Sequence, residues 1–215
     1  MLITAIEPRK RGFSVLYFDD GTSLRILTEV ALSEGLGPGT DIPEEQLETL
    51  LRKSQTKRAG EKALSLLEYR SYSKKELEDR LSRETGREAA REAAGRMEEL
   101  GLLDDRDYAR RLAEDLFTRK GFSQSRVRQE LCRRGLERDL AEAAAEEFAR
   151  PPQEAIRELI ERKYAQYLGD EKGRRRAIAA LQRLGYRFED IRGVLREYPE
   201  YTEDKDEEEC PVLWE

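Results

Sequence analysis

The chemistry available to this sequence is concentrated in arginine. Arg126 and Arg133 lie two helical turns apart, and the pair recurs as Arg176 and Arg183. A guanidinium donates two parallel hydrogen bonds to a carboxylate or a phosphate, so such a ridge suits a polyanion or an acidic protein face. Lys120 and Arg128 stand near the first pair as a second ring. A solvated helix face balanced by nearby glutamates is the other reading of the same residues. Catalysis finds little to use. The chain has no histidine, so no imidazole base, nucleophile–imidazole pair or histidine metal site can be built. Two cysteines, Cys132 and Cys210, cannot form a thiolate cluster. The stretch GLGPGT at Gly35 to Thr40 lacks the spacing and the lysine of a phosphate loop. The inventory is that of a binding protein and no enzyme, with no cofactor and no metal.

The elements that position the arginines are short amphipathic helices. Between Gly101 and Glu147, Asp104 and Asp105 can cap a helix whose buried face is Tyr108, Ala109, Leu112, Ala113, Leu116 and Phe117. Gly121 stops it, Ser123 caps a second helix facing inward through Val127 and Leu131, and Gly135 ends that one. Leu140, Ala144 and Phe148 mark a third helix. Shifting the sequence by 50 residues aligns Leu67, Phe117 and Tyr167; Leu81, Leu131 and Leu181; and Gly135 with Gly185. Arg83, Arg133 and Arg183 share a register too, as do Arg126 and Arg176. Agreement of polar with apolar positions marks a repeat array. The expected fold is mainly α: an elongated, right- or left-curved tandem array of three three-helix repeats.

A small antiparallel β-meander precedes the array, with strands near 2–7, 13–18 and 22–27 and a turn at Asp20-Gly21. Pro8 to Gly12 is read as a basic loop, and Pro43 as opening a helix that ends near Lys53. Helices near 57–69, 73–84 and 87–99 form the first repeat; those near 152–168, 171–184 and 188–197 form the third. The expected domains are 1–54 (meander and short helix), 55–103, 104–150 and 151–199 (the three repeats), and 200–215 (an acidic, disordered tail). The whole chain carries −6; residues 200–215, with eight acidic groups and one lysine, carry −7, which leaves about +1 for the rest. Such a tail is read as a solubilising end or as a competitor for a basic face. There is no long apolar run and no secretory layout at the N-terminus, and the chain reads as cytoplasmic.

The phrases RSYSKKELEDRL, LGLLDDRDYARRLAEDL and RKGFSQSRVRQELCRRGL resemble the bacterial RecX family, over about Arg58 to Tyr198 and most strongly between Leu100 and Ala144. The β-rich first 50 residues and the acidic tail depart from the family pattern. The resemblance implies a non-enzymatic regulator of RecA, acting in recombination, DNA repair and the SOS response. It implies an array that lies in the groove of the RecA filament on single-stranded DNA, as a monomer. It also implies inhibition of ATPase, strand exchange and co-protease activities, with direct DNA contact in some members. A helix-turn-helix-like transcriptional regulator is the rival from another class. It would need base-reading residues at the start of a recognition helix, and the chain contains no asparagine.

Overall fold

Strict alternation of apolar and polar residues at the start of the chain does build a sheet. In the computed structural model, which describes residues 1–198, β1 (Ile3–Arg9), β2 (Phe13–Phe18) and β3 (Ser23–Leu27) pair in sequence order as an antiparallel meander. Asp20 fixes the second turn by accepting from the Thr22 amide at 2.9 Å. β1 runs through Pro8 to Arg9, further than the sequence suggests, because an edge strand tolerates a residue with no N–H. The basic loop shrinks to a 3-10 turn, Lys10–Gly12. One sheet face buries Ile3, Leu16, Phe18 and Ile26 against Val30 and Ala31 of α1 (Thr28–Ser33) and Leu50 of α2 (Glu44–Tyr69).

Helix α2 corrects the sequence reading. Two helices were expected, one to Lys53 and one from residue 57, but Glu44–Tyr69 is a single α-helix. The intervening KSQTKRAG contains no proline, and its one glycine costs only about 1 kcal/mol in a helix. Two cores hold this helix. Its first half packs Leu50 on the sheet, where the buried Ser54 hydroxyl accepts the Leu27 amide at 2.8 Å as β3 gives way to α1. Its second half sets Ala59 and Ala63 against Ala89, Ala90, Ala93 and Ala94 of α4 (Arg87–Glu99). Small side chains on both sides let the two helices approach closely. The basic residues of the stretch form surface ion pairs, Lys53 with Glu34 at 2.7 Å and Arg58 with Glu84 at 3.5 Å.

Eight further helices complete the order among the described residues: α3 (Lys74–Thr85) and α4; α5 (Asp105–Asp115), continuing as a π-helical turn at Leu116–Lys120; α6 (Gln124–Arg133) and α7 (Arg138–Glu147); then α8 (Pro152–Lys163), α9 (Glu171–Arg183) and α10 (Phe188–Leu195). The expected α8 is shorter than read, because the chain turns into a 3-10 segment at Ala165–Tyr167. Tyr108, Ala109, Ala113, Leu116, Val127 and Leu131, read as inward-facing, are all buried. Ile156, Ile160, Leu181 and Ile191 form the core of the third helical group. The acidic stretch 200–215 lies outside the described residues. No helix among those described is long and apolar enough to cross a membrane.

Two compact units divide the chain: Met1–Arg111 with Leu131–Ala141, and Leu112–Glu130 with the residues from Glu142 on. The same junction occurs once in each. In the first unit the Ser73 hydroxyl, which caps α3, also donates to the Arg134 carbonyl at the end of α6. In the second, the Ser123 amide donates to the Leu184 carbonyl at the end of α9, at 2.9 Å. Each terminating turn is a left-handed glycine, Gly135 (φ 82°) and Gly185 (φ 95°). A methyl group on Gly135 would lie 2.5 Å from Lys75 Cβ, and one on Gly185 2.7 Å from Arg126 Cβ. Helix ends can therefore meet helix starts only through glycine.

Replacing Gly135 or Gly185 by alanine combines left-handed strain with a clash, and should cost about 1–3 kcal/mol in urea unfolding. Gly95→Ala is the counter-case: it lies inside α4 with open space around it, and should stabilise by about 0.5–1 kcal/mol. A second expectation concerns pH. Burial in the third helical group pushes the Tyr186 phenol from its ordinary 10.0 to about 12. The native state then holds this proton more tightly than the unfolded chain does. Stability is intact below about pH 10 and falls as pH rises through about 12. Tyr186→Phe should flatten that alkaline fall when unfolding midpoints are compared across pH.

Candidate functional site

The first junction carries an arginine-lined groove. α3 presents Lys75, Glu76, Asp79, Arg80 and Arg83 at three- and four-residue intervals, which sets them along one face. The end of α2 adds Arg70, and the docked end of α6 adds Arg133 and Arg134; the volume enclosed is about 620 Å³. Glu76 organises the floor. Arg70 grips it with both nitrogens, at 2.9 and 3.2 Å, and Arg134 lies 3.6 Å away. Arg134 also donates to the Tyr108 phenol at 3.5 Å, and that phenol donates to Glu76 at 3.4 Å. The hydrogen bonds it donates to Glu76 raise the Arg70 guanidinium above its usual range, and burial pushes the Tyr108 phenol up. Arg70 also stacks over the Tyr72 ring at 3.6 Å, so this buried aromatic offers no open face.

The rim differs from the floor. Lys75 pairs with Asp79 one turn on, at 2.8 Å. Arg80 and Arg83 are exposed and make no ion pair among the described residues. Arg133 is exposed beside them. Six cationic side chains thus face two carboxylates, leaving a net +4 on the groove walls. Such a surface attracts anions.

The aspartate pair before α5 divides its labour. Asp104 caps its own helix, accepting the Arg106 and Asp107 amides at 2.9 and 3.0 Å. Asp105, expected to share that role, instead accepts the Lys74 amide at 2.8 Å, a donor left over at the start of α3. Half-burial raises its carboxyl above the usual range against that bond.

The expected site residues fall in different places. Arg133 lines the groove of the first unit, while Arg126, Arg176, Arg183, Lys120 and Arg128 belong to the second. Arg126 is exposed, lies over the Phe122 ring at 5.6 Å and packs its Cβ on Gly185. Arg176, Arg183 and Lys120 are exposed and have no ion pair among the described residues. Arg128 is half-buried and holds Glu142 at 2.6 Å, a bond within the fold. Of the neighbouring arginines on α9, Arg174 ties the Leu168 and Tyr198 carbonyls and Arg175 pairs with Glu171. Arg70, Arg80 and Arg134 were missed. The 50-residue shift does place Arg70 in register with Lys120, which was the available signal.

Comparison with known proteins gives a consistent result. Two family models match: the second three-helix domain of RecX over residues 104–144 and the third over 152–195. The regulatory protein RecX of Trichlorobacter lovleyi is 35% identical over 136 residues, 60% of this chain and 88% of that protein. That of Clostridioides difficile is 24% identical over 207 residues, 94% of this chain and 98% of that one. A crystal structure of regulatory protein RecX has a TM-score of 0.59 at 19% identity, covering 90% of this chain and 98% of that one. RecX from Lactobacillus salivarius gives 0.55 at 20% identity, covering 66% and 96%. These two solved structures share the fold.

The junction can be tested through its serines. Ser73→Ala removes both a helix cap and the donor to the Arg134 carbonyl, and should cost about 2–3 kcal/mol. Ser123→Ala removes a cap alone, since its backbone amide makes the other bond, and should cost about 1 kcal/mol. Chemical denaturation of the two variants side by side reads the difference.

Proposed function

The chain belongs to the RecX family of regulatory proteins, and on that premise we propose that it regulates the RecA recombinase without catalysing a reaction. It binds in the groove of the RecA filament on single-stranded DNA, as a cytoplasmic monomer, and inhibits the ATPase, strand exchange and co-protease activities. The observation that carries this reading is the junction that recurs, each time with exposed arginines beside the docked turn: Arg133 before Gly135 and Arg183 before Gly185. A filament presents the same protomer surface again and again. A ligand with repeated patches can engage several protomers, so that weak local contacts multiply into tight binding. Arg126, Arg133, Arg176 and Arg183 are the contact residues proposed, with Lys120 beside them; Arg128 contributes indirectly, through its bond to Glu142.

The experiment is RecA ATPase turnover on single-stranded DNA with this chain added below stoichiometry. Turnover should fall; a transcriptional regulator that reads an operator would leave it unchanged. Reversing Arg133 and Arg183 together to glutamate removes two charged contacts, each worth about 1.5–3 kcal/mol when paired. Inhibition should weaken at least tenfold, with the thermal unfolding midpoint little altered because both side chains are exposed. Undiminished inhibition by this double variant would take the arginines out of the mechanism.

A further inference from the structure

We propose that the groove of the first junction is a phosphodiester site, which holds the backbone of a single nucleic-acid strand, and that the second junction has no counterpart. This deepens the filament reading by assigning the nucleic-acid share of the contact to one place on the chain. Three observations carry it. First, the charge is clustered and open. Arg80, Arg83 and Arg133 face the groove from two elements, and Arg80 and Arg83 have no carboxylate partner among the described residues. Second, the groove offers cations and little else. Its one aromatic ring, Tyr72, is covered by the Arg70 guanidinium, and the remaining walls are charged. An acidic peptide would need apolar anchors to bind selectively here. A sugar–phosphate strand needs only regularly placed cations. The same lid takes the ring's open face, so no aromatic platform is left for a base and recognition rests on the phosphates.

Third, only half of the groove's cations recur 50 residues on: Arg70, Arg83 and Arg133 correspond to Lys120, Arg133 and Arg183, but the other three are lost. Shifted by 50 residues, Arg80 becomes Glu130, Lys75 becomes Ser125 and Arg134 becomes Leu184. Glu130 is buried, at 8% exposure. Glu76, the carboxylate that orients Arg70 and Arg134 in the first groove, becomes Arg126, which lies over Phe122 instead. The scaffold of the junction is kept, but the arrangement of guanidiniums around a fixed carboxylate is not. The first groove is therefore a specialised feature of the first junction.

The test is fluorescence anisotropy of labelled oligo(dT) with the full chain and no RecA present. Arg80→Glu with Arg83→Glu should weaken binding tenfold or more. It should also make the slope of log K against log salt shallower by about 1.4, the loss of two phosphate contacts on a single strand. Arg52→Glu with Arg91→Glu changes net charge equally on exposed positions of α2 and α4 outside the groove, and should leave affinity within threefold or so. An abasic phosphodiester strand of the same length should bind like oligo(dT). Equal losses from the two double variants would reduce the effect to net charge and overturn the assignment. So would undiminished binding by the first variant, or selective loss of the abasic strand. RecA ATPase inhibition is measured in parallel. If the Arg80 and Arg83 variant keeps its DNA affinity but fails to inhibit, the groove holds protein carboxylates and the phosphate assignment falls alone. If the wild-type chain binds oligo(dT) through this groove but never inhibits RecA, the filament reading falls alone.

Discussion

The structure depends on how the end of one helix is accepted by the start of another. A helix ends with carbonyl groups that lack partners, and it begins with amide groups in the same state. At both junctions a serine at a helix start supplies a donor to a carbonyl at a helix end, from its hydroxyl at Ser73 and from its amide at Ser123. The approach is so close that only a residue without Cβ fits at the turn, and the left-handed φ of Gly135 and Gly185 favours glycine independently. Sterics and conformation thus select the same residue. Asp105 adds a third link in the first unit by accepting the Lys74 amide at the start of α3.

This constraint also sets the electrostatics. The last turn of α6 brings Arg133 and Arg134 to the flank of α3, where Glu76 is waiting. Cations near a helix C-terminus are favoured by the local dipole, so arginine stabilises the end of α6 while projecting from it. Glu76 then separates two classes of arginine. Arg70 and Arg134 are immobilised around it, while Arg80 and Arg83 stay open to a ligand. A carboxylate in the floor of a basic groove keeps its shape without cancelling its charge.

Much of this was legible in the sequence because the repeats are short and their burial is periodic. Val127, Leu131, Ala177 and Leu181 are buried where helical spacing places them, and Gly121, Gly135 and Gly185 mark the turns. α2 was not legible as one helix, because its pattern changes partner midway: Leu50 and Ser54 answer to the sheet, Ala59 and Ala63 to α4. Local periodicity reads one packing face at a time and interprets a change of face as a break. The groove escaped for a different reason. Arg70 and Arg134 stand far apart in the chain and meet only through the docked turn, so no local window contains both. Asp105 likewise resembled a second cap for its own helix, and only the tertiary position of α3 gives its carboxylate another amide to accept.

The division between junction and rim bears on how one fold can serve with different surfaces. Crystal structures of RecX proteins at 19–20% identity share this chain's fold. The junction demands little of the sequence: a capping serine, a glycine and apolar residues at helical spacing. Substituting an exposed arginine such as Arg80 or Arg83 changes folding free energy by only about 0.5 kcal/mol, whereas the groove's field depends on each one. Charge at the rim is therefore nearly independent of the fold, and the two junctions of this chain already demonstrate it. Both keep the serine and the glycine, yet Glu76 in one stands where Arg126 stands in the other, and Arg80 where Glu130 is buried. A repeat array can in this way hold its geometry constant while each step along it acquires its own ligand.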